Sequence, residues 1–325
     1  MPVAWDVVGS VTFSESLGYL EKGYDFDGTI SAAEKTIDYF SVVGQIPVLD
    51  YWFDKNPVHH IGPPGFAAAT KSGVDHMVQR LQGKSNDGHD PSQPDFLDKF
   101  IEAKQTHPDI VDNNQIVGYL MINILAGADT TAITIRSVLY YCLRSPQIWA
   151  RLQKEIGEVP DIVSFKHARA LPYLEACIRE AMRMHPPVGM ILERVVPPQG
   201  VVLPDGTNVP PGTTVGLNPY VVNRNTGVWG DDVDRFRPER WLKGDYENED
   251  AFSARLANMN ACDLTFGAGS RICIGKHLGL IEVYKVVATL VARYNMELVH
   301  PEKEWKVINS WFMRQEGIEV QMSKR

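Results

Sequence analysis

Residues 266–275 read Phe-Gly-Ala-Gly-Ser-Arg-Ile-Cys-Ile-Gly, and an apolar helical pattern follows directly, from Leu278 onward. Cys273 therefore lies just before a predicted helix, where free backbone N–H groups and the positive end of the helix dipole stabilise an anion. A thiolate, the form of cysteine that binds metal, is favoured at such a position. The glycines let the backbone curve tightly around the sulfur and let a large flat group approach it.

Two interpretations of Cys273 follow from these residues. A cysteine in a glycine-rich loop is commonly a small buried apolar residue. The alternative is a metal ligand, with Arg271 as a fixed cation for a carboxylate of the bound group. The full spacing Phe-x-x-Gly-x-Arg-x-Cys-x-Gly favours the ligand, because it resembles the cysteine-ligand loop of the cytochrome P-450 superfamily of haem-thiolate monooxygenases. The resemblance implies haem b, with Cys273 as axial iron ligand and with Phe266, Gly269, Arg271 and Gly275 in the cofactor-binding loop.

The longest predicted helix covers residues 112–143 and is apolar on most faces, so we expect it to be central. The sequence Ala-Gly-Ala-Asp-Thr-Thr at 126–131 lies in its middle, where a glycine weakens the helix by about 1 kcal/mol relative to alanine and polar side chains interrupt a buried surface. One explanation is a kink with a threonine hydroxyl bonded to a backbone carbonyl. The other is that Gly127 leaves room beside a cofactor, Thr130 presents its hydroxyl to bound oxygen and Asp129 relays protons. This second arrangement resembles the acid–alcohol pair of the family.

Glu180 and Arg183 lie three residues apart on a helix predicted at 173–184, so they share a face and are able to pair. Such pairs are abundant on exposed helices, where they contribute little to stability. In this chain Phe-Arg-Pro-Glu-Arg-Trp follows at 236–241, and the order of the two motifs again resembles the family. The resemblance implies a structural triad of buried charges, Glu180, Arg183 and Arg240, that supports the loop preceding the cysteine.

Short apolar runs at 191–196, 201–203 and 213–217, separated by Asp-Gly and Pro-Pro-Gly turns, predict a small sheet of hairpins. Arg194 lies in the first run. In the family a strand arginine pairs with a haem propionate, and the resemblance implies this role for Arg194; an exposed strand arginine is the alternative. We therefore expect a mainly α fold with a minor β part, in one domain over residues 1–325.

The composition excludes several other functions. The chain has 325 residues, of which 44% are hydrophobic, which is enough for a substantial core. Its formal net charge of -8 argues against nucleic acid as a partner, because phosphate binding needs a basic surface. The cysteines show no Cys-x-x-Cys spacing, so neither a zinc site nor a disulfide framework is predicted, and a reducing compartment fits. The sequence contains no glycine-rich fingerprint for a nicotinamide or a flavin.

The resemblance covers nearly the whole chain but only the later part of the family fold. The N-terminal portion of the family, with its membrane anchor, early helices and part of the sheet, has no counterpart here, which implies a truncated or naturally shortened chain. Family members typically lie on the cytosolic face of the endoplasmic reticulum membrane. The longest apolar run, 116–128, is shorter than the ~20 residues that span a bilayer, so we expect an intracellular chain without a membrane anchor.

Residues 41–47 and 218–232 are similar to fungal enzymes of the pisatin demethylase type. The sequence therefore predicts a haem-dependent monooxygenase that hydroxylates or oxidatively demethylates a small organic substrate of secondary metabolism. It would use O₂ and electrons from an NADPH-dependent reductase, for which Arg271, Lys276 and Lys285 are candidate docking residues. Two alternatives stay open: an enzyme of the same fold with oxygen-independent isomerase chemistry, and a non-catalytic remnant without stable haem.

Overall fold

The structure is a computed structural model that describes residues 2–58, 62, 67–84, 88–158 and 162–325. Helices account for about 54% and strands for about 10% of it, which confirms a mainly α fold with a minor β part. The helices are α1 Pro2–Phe13, α2 Tyr19–Lys22, α3 Thr29–Val43, α4 Val48–Phe53, α5 Ala67–Leu81, α6 Phe96–Thr106, α7 Asn113–Leu143, α8 Pro146–Ile156, α9 Phe165–Arg169, α10 Pro172–Met184, α11 Pro219–Val222, α12 Thr226–Trp229, α13 Glu249–Cys262 and α14 Lys276–Arg293. The strands are β1 Leu192–Val195, β2 Val201–Val202, β3 Asn208–Val209, β4 Thr214–Leu217, β5 Tyr294–Leu298, β6 Lys306–Ser310, β7 Phe312–Glu316 and β8 Val320–Lys324.

The chain divides into two compact units, Met1–Ile133 and Thr134–Arg325, and the boundary falls within α7. Each unit has a core of its own. The expectation of a single domain over the whole chain stays a prediction.

Helix α7 begins one residue after its predicted start. The Asp112 carboxylate accepts a hydrogen bond from the backbone N–H of Gln115 at 2.8 Å, which satisfies one free donor of the first turn. The helix predicted over 112–143 is confirmed, because α7 continues through 126–131 as one helix. Burial of neighbouring apolar side chains such as Ala128, which has no exposed surface, outweighs the glycine cost of about 1 kcal/mol.

Helix α7 is also the one helix in the described part of the chain that is long and apolar enough to span a membrane, judged by length and composition alone. It meets this criterion because apolar residues resume after Asp129, beyond the run at 116–128. In its most apolar stretch 44% of the residues are buried within the fold, and the core helix of a globular protein passes the same test.

The first unit is organised around the N-terminal part of α7. Trp5 and Phe13 of α1, Leu97 of α6, and Ile116 and Leu120 of α7 have no exposed surface and share one apolar cluster. Because α1 and α6 bury their apolar faces on α7, the stretch of α7 that carries the polar residues 129–131 is held in a fixed environment.

The second unit is organised around α10, which packs against α8, α9 and α14. Its residues Cys177, Ile178 and Ala181 are fully buried in a cluster that includes Val287 and Val291 of α14. The predicted helix at 173–184 is therefore confirmed as α10, and the helix that follows Cys273 is anchored directly to it.

The β part consists of antiparallel strand pairs: β1 with β4, β2 with β3, β5 with β8, and β6 with β7. The strands predicted at 191–196, 201–203 and 213–217 are confirmed within one or two residues at each end. Strand β1 carries Arg194, which lies opposite Val215 of β4.

Glu282 on α14 is a buried carboxyl group, 6% exposed, and its Oε1 atom has no hydrogen-bond partner among the described residues. Loss of hydration raises the pKa of Glu282 to about 8. The folded chain therefore binds this proton more tightly than the unfolded chain, whose glutamate has a pKa of about 4.3. Stability that depends on the protonated carboxyl is consequently present at low pH and is lost as the pH rises towards about 8.

We expect the substitution Glu282→Gln to remove this pH dependence, because an amide does not titrate. Between about pH 5.5 and about pH 7.5, the free energy of unfolding of the native chain should fall, relative to the variant, by on the order of 1 kcal/mol per pH unit. Urea denaturation at the two pH values measures the difference. Glu297→Gln, which changes an exposed carboxylate on β5, is the control and should keep the native dependence of the free energy of unfolding on pH. If Glu282→Gln also keeps this dependence, Glu282 is ionised at neutral pH.

Candidate functional site

The loop that carries Cys273 closes on itself before α14 begins. The Cys273 N–H donates to the Phe266 carbonyl at 2.8 Å. Gly267 and Gly269 have φ angles of 71° and 64°, in the left-handed region that side chains rarely adopt. These two glycines therefore set the path of the loop, as expected from the sequence, and Gly269 begins a short 3-10 turn that ends at Arg271.

The sulfur of Cys273 is exposed and free. Gly275 is the residue that precedes the first turn of α14, and a Cβ atom added there would lie 3.9 Å from the Cys273 Sγ atom. The flanking side chains Ile272 and Ile274 are 49% and 101% exposed, so apolar surface lies on both sides of the sulfur in sequence. A thiol at a helix N-terminus among exposed apolar side chains fits an iron porphyrin, which takes a thiolate ligand and presents an apolar face.

The other residues predicted for this loop differ in how far they are buried. Phe266 is half-buried and packs against the core of the second unit, and the Lys276 Nζ atom lies 5.5 Å from the centre of its ring. Arg271 is exposed. The structure thus brings Phe266, Cys273 and Gly275 together and leaves the Arg271 side chain at the surface.

Strand β1 passes beside the loop, since a Cβ atom added at Gly267 would lie 4.0 Å from the Leu192 Cδ1 atom. Arg194, two residues further along the strand, is exposed and its Nη1 atom donates to the Glu193 carbonyl at 2.6 Å. Its strand is therefore a neighbour of the cysteine loop, and its pairing with a propionate stays a prediction.

The structure brings the three charges of the predicted triad together around one carboxylate. Glu180, Arg183 and Arg240 are 0%, 1% and 3% exposed. Arg183 donates to Glu180 from Nε and from Nη2, both at 2.9 Å, and Arg240 Nε donates at 3.2 Å. The Trp241 indole at 2.9 Å and the backbone N–H of Arg237 at 3.1 Å donate to the same carboxylate. Every donor lies on α10 or in the segment 237–241, so the carboxylate ties that segment to the helix.

Asp232 is a second carboxylate of this network, which the sequence did not single out. Arg240 Nη1 donates to its Oδ1 atom at 2.9 Å, and Arg237 Nε lies 2.7 Å from Oδ2. Burial alone would raise the pKa of Asp232. The hydrogen bond from Arg240 and the positive charges of Arg240 and Arg237 outweigh this effect and hold the pKa below its usual range. Arg240 thus lies between two carboxylates, which stabilises its buried charge.

The polar residues of α7 lie in the first unit. Asp129 is 2% exposed and accepts a hydrogen bond from the Trp5 indole N–H at 3.3 Å. Thr130 is half-buried and its hydroxyl donates to the Ala126 carbonyl at 2.7 Å, the local bond of the first interpretation of this stretch. The space left by the missing side chain of Gly127 is taken by Val8 of α1, so this glycine has a packing role. Room for a cofactor beside it stays a prediction.

Comparison with known proteins gives one consistent result. The Cytochrome P450 family matches residues 2–322. The chain is 46% identical to cytochrome P450 monooxygenase cfoH of Aspergillus candidus, over 99% of this chain and 60% of that protein. It is 37% identical to cytochrome P450 monooxygenase cicH of Emericella nidulans and 35% identical to vrtE of Penicillium aethiopicum, in each case over 99% of this chain and 64% of the relative.

The chain thus spans between 60% and 64% of the length of these curated relatives. The family match includes all three motifs that the structure places in the second unit, at 180–183, 236–241 and 266–275. The chain therefore belongs to the cytochrome P450 family.

Proposed function

We propose that this chain is the haem-binding part of a monooxygenase that transfers one atom of O₂ to a small organic substrate of fungal secondary metabolism. Hydroxylation and oxidative demethylation are the two reaction types we propose. The observation that carries the proposal is the cysteine loop, in which a free, exposed thiol precedes α14 and is flanked by exposed isoleucines. The fungal monooxygenases to which the chain is similar support the same conclusion.

Haem b, when bound, supplies the oxygen chemistry, and its ligation by a cysteine thiolate is known to favour O–O cleavage in this family. Cys273 would hold the iron through Sγ. The bond from its N–H to the Phe266 carbonyl fixes the backbone from which the sulfur projects. Arg194 and Arg271, both exposed near this loop, would pair with the haem propionates through charge-assisted hydrogen bonds.

Asp129 and Thr130 are the proposed proton relay. A hydroxyl that donates to a backbone carbonyl keeps its lone pairs, so the Thr130 oxygen is able to accept a hydrogen bond from a proton donor. The adjacent Asp129 is a carboxyl group within the same turn and would exchange protons with that hydroxyl.

We expect Thr130→Ala to keep the thiolate-type haem spectrum and to separate NADPH consumption from product formation. Product formed per NADPH should fall by roughly 10²-fold, the size typical of a lost proton-transfer group. Thr130→Ser, which restores the hydroxyl, is the matched control and should recover most of the yield. Full product yield from Thr130→Ala would refute the relay.

Electrons would reach the haem from a separate NADPH-dependent reductase. Three cations in or after the cysteine loop, Arg271, Lys276 and Lys285, are candidate docking residues for it. Arg271 is exposed, and the two lysines are half-buried. Complementary charge at such a surface increases the rate of association more than the final affinity.

The test of the proposal is incorporation of labelled oxygen. The haem-loaded chain is supplied with a fungal NADPH-dependent reductase, candidate aromatic or polyketide-like substrates and ¹⁸O₂. Hydroxylation should give a product with one labelled oxygen atom, whereas demethylation should give an unlabelled product and one equivalent of formaldehyde, which carries away the inserted oxygen. Either product should form only when NADPH is present. Turnover without NADPH or O₂ would instead support the isomerase alternative. Failure of the chain to retain haem would support the non-catalytic remnant.

A further inference from the structure

Helices α1 and α7 meet in the first unit along a seam of three side-chain contacts. Trp5, near the start of α1, contacts Asp129, whereas Thr12, near its end, contacts Asn123, so the two helices are antiparallel. The Asn123 Nδ2 atom donates to the Thr12 hydroxyl at 2.6 Å, and Trp5 Nε1 donates to Asp129 at 3.3 Å. The α1–α7 seam consists of Trp5, Val8 and Thr12 on α1 and of Asn123, Gly127 and Asp129 on α7.

Gly127 lies at the middle of the seam and allows the two helices to approach closely. A Cβ atom added to it would lie 2.9 Å from the Val8 Cγ2 atom, closer than real side-chain contacts. Val8 is 2% exposed and cannot move aside without opening the core of the unit. Any residue larger than glycine would therefore push α1 away from α7.

The hydrogen bond between Trp5 and Asp129 pairs a buried donor with a buried acceptor. Trp5 has no exposed surface, and a buried indole N–H requires an acceptor. Asp129 is 2% exposed, and a buried carboxylate requires hydrogen-bond donors. The indole ring is itself held edge-on by Tyr19, with ring centres 5.7 Å apart, so it is not free to turn away from the carboxylate.

We propose that Trp5 is a positioning residue for Asp129: its indole N–H holds the carboxylate in one orientation, and Gly127 permits this by letting α1 pack closely. This inference rests on the proposed relay of Asp129 and Thr130. It also gives Gly127 a role in the relay that does not require contact with a cofactor.

The first test does not depend on haem or on turnover. The chain has seven tryptophans, so its ¹H–¹⁵N spectrum has seven indole signals, and the one that disappears in Trp5→Phe belongs to Trp5. We expect this signal to move upfield in Asp129→Asn and in Gly127→Ala, by more than any other indole signal. An unmoved Trp5 signal in either folded variant would overturn the inference.

The second test uses the haem-loaded chain and measures product per NADPH. Trp5→Phe keeps an aromatic ring and removes the donor together with the five-membered ring of the indole. It should lower this ratio by roughly tenfold, since a misplacement of about 1 Å costs up to about 10²-fold. Thr12→Val removes the other polar link of the seam, away from the acid, and should leave the ratio unchanged. If Trp5→Phe gives the native amount of product per NADPH while Thr130→Ala gives a low amount, the positioning role of Trp5 is rejected and the relay of Asp129 and Thr130 is supported. Absence of product in the native chain would reject the proposed function, and the indole signals would still decide on the contact.

Discussion

Cys273→Ala is expected to abolish haem binding by this chain. The substitution removes the only cysteine in the glycine-rich loop, and no other thiol of the described residues is placed to replace it. Cys142 and Cys177 are fully buried in the core of the second unit, and burial raises the pKa of Cys177 well above its usual value, so that sulfur stays a neutral thiol. Without the thiolate the iron would lose its proposed protein ligand, and only the exposed side chains of the loop and its neighbours would be left to hold the haem.

The measurement is the Soret absorbance per chain after reconstitution with haem and removal of excess. Native chain should retain haem and Cys273→Ala should retain essentially none. Cys262→Ala is the matched control, because Cys262 is partly exposed at the end of α13 and plays no part in the loop. Equal, stable haem retention in Cys273→Ala would show that another residue binds the iron.

Glu180→Gln is expected to have the largest effect on stability. The substitution keeps the shape of the side chain and removes the charge that compensates Arg183 and Arg240, both of which are at most 3% exposed. Breaking a buried ion pair by removing one partner costs about 3–5 kcal/mol, because the remaining charge is left without compensation. Since whole domains are stable by only about 5–15 kcal/mol, this loss should be plain in urea denaturation.

Lys306→Ala is the control for an exposed pair. Lys306 lies 3.2 Å from Glu316 with side chains that are 72% and 55% exposed, and such pairs contribute about 0–1 kcal/mol. A loss in Glu180→Gln no larger than that of the control would mean that the buried network contributes no more than a surface contact. If Glu180→Gln gives no folded protein, Trp241→Phe removes a single donor to the same carboxylate together with part of a buried ring. The lost donor alone should cost about 1–3 kcal/mol.

The elements that the sequence predicted well are those with a strong local signal. Helix α7 has a long apolar pattern with Asp112 as its cap, and α10 buries ten of its thirteen residues. Helix α8 was missed although its signal is present, with Pro146 in the first turn and buried Trp149, Leu152 and Ile156 on one face. Helix α13 buries only Met259, so its sequence has no apolar face to detect.

The contacts of the candidate site also differ in whether a sequence signal predicts them. The spacing of three residues on one helix predicted that Glu180 and Arg183 are able to pair, and the resemblance to the family implied that Arg240 joins them. The structure contains both contacts. The contact between Trp5 and Asp129 joins residues 124 positions apart, and nothing in the local pattern of either residue predicts it. Gly127 illustrates the difference: its lack of a side chain predicted a close approach, but the structure shows that the approaching group is Val8.

The carbon monoxide difference spectrum of the reduced, haem-loaded chain is the most direct test of the central claim, that the Cys273 sulfur binds haem iron as a thiolate. We predict a strongly red-shifted Soret band, the signature of intact thiolate ligation, and its absence in Cys273→Ala. A Soret band at the position of ordinary imidazole-ligated haem, or the same red shift in Cys273→Ala, would contradict the claim.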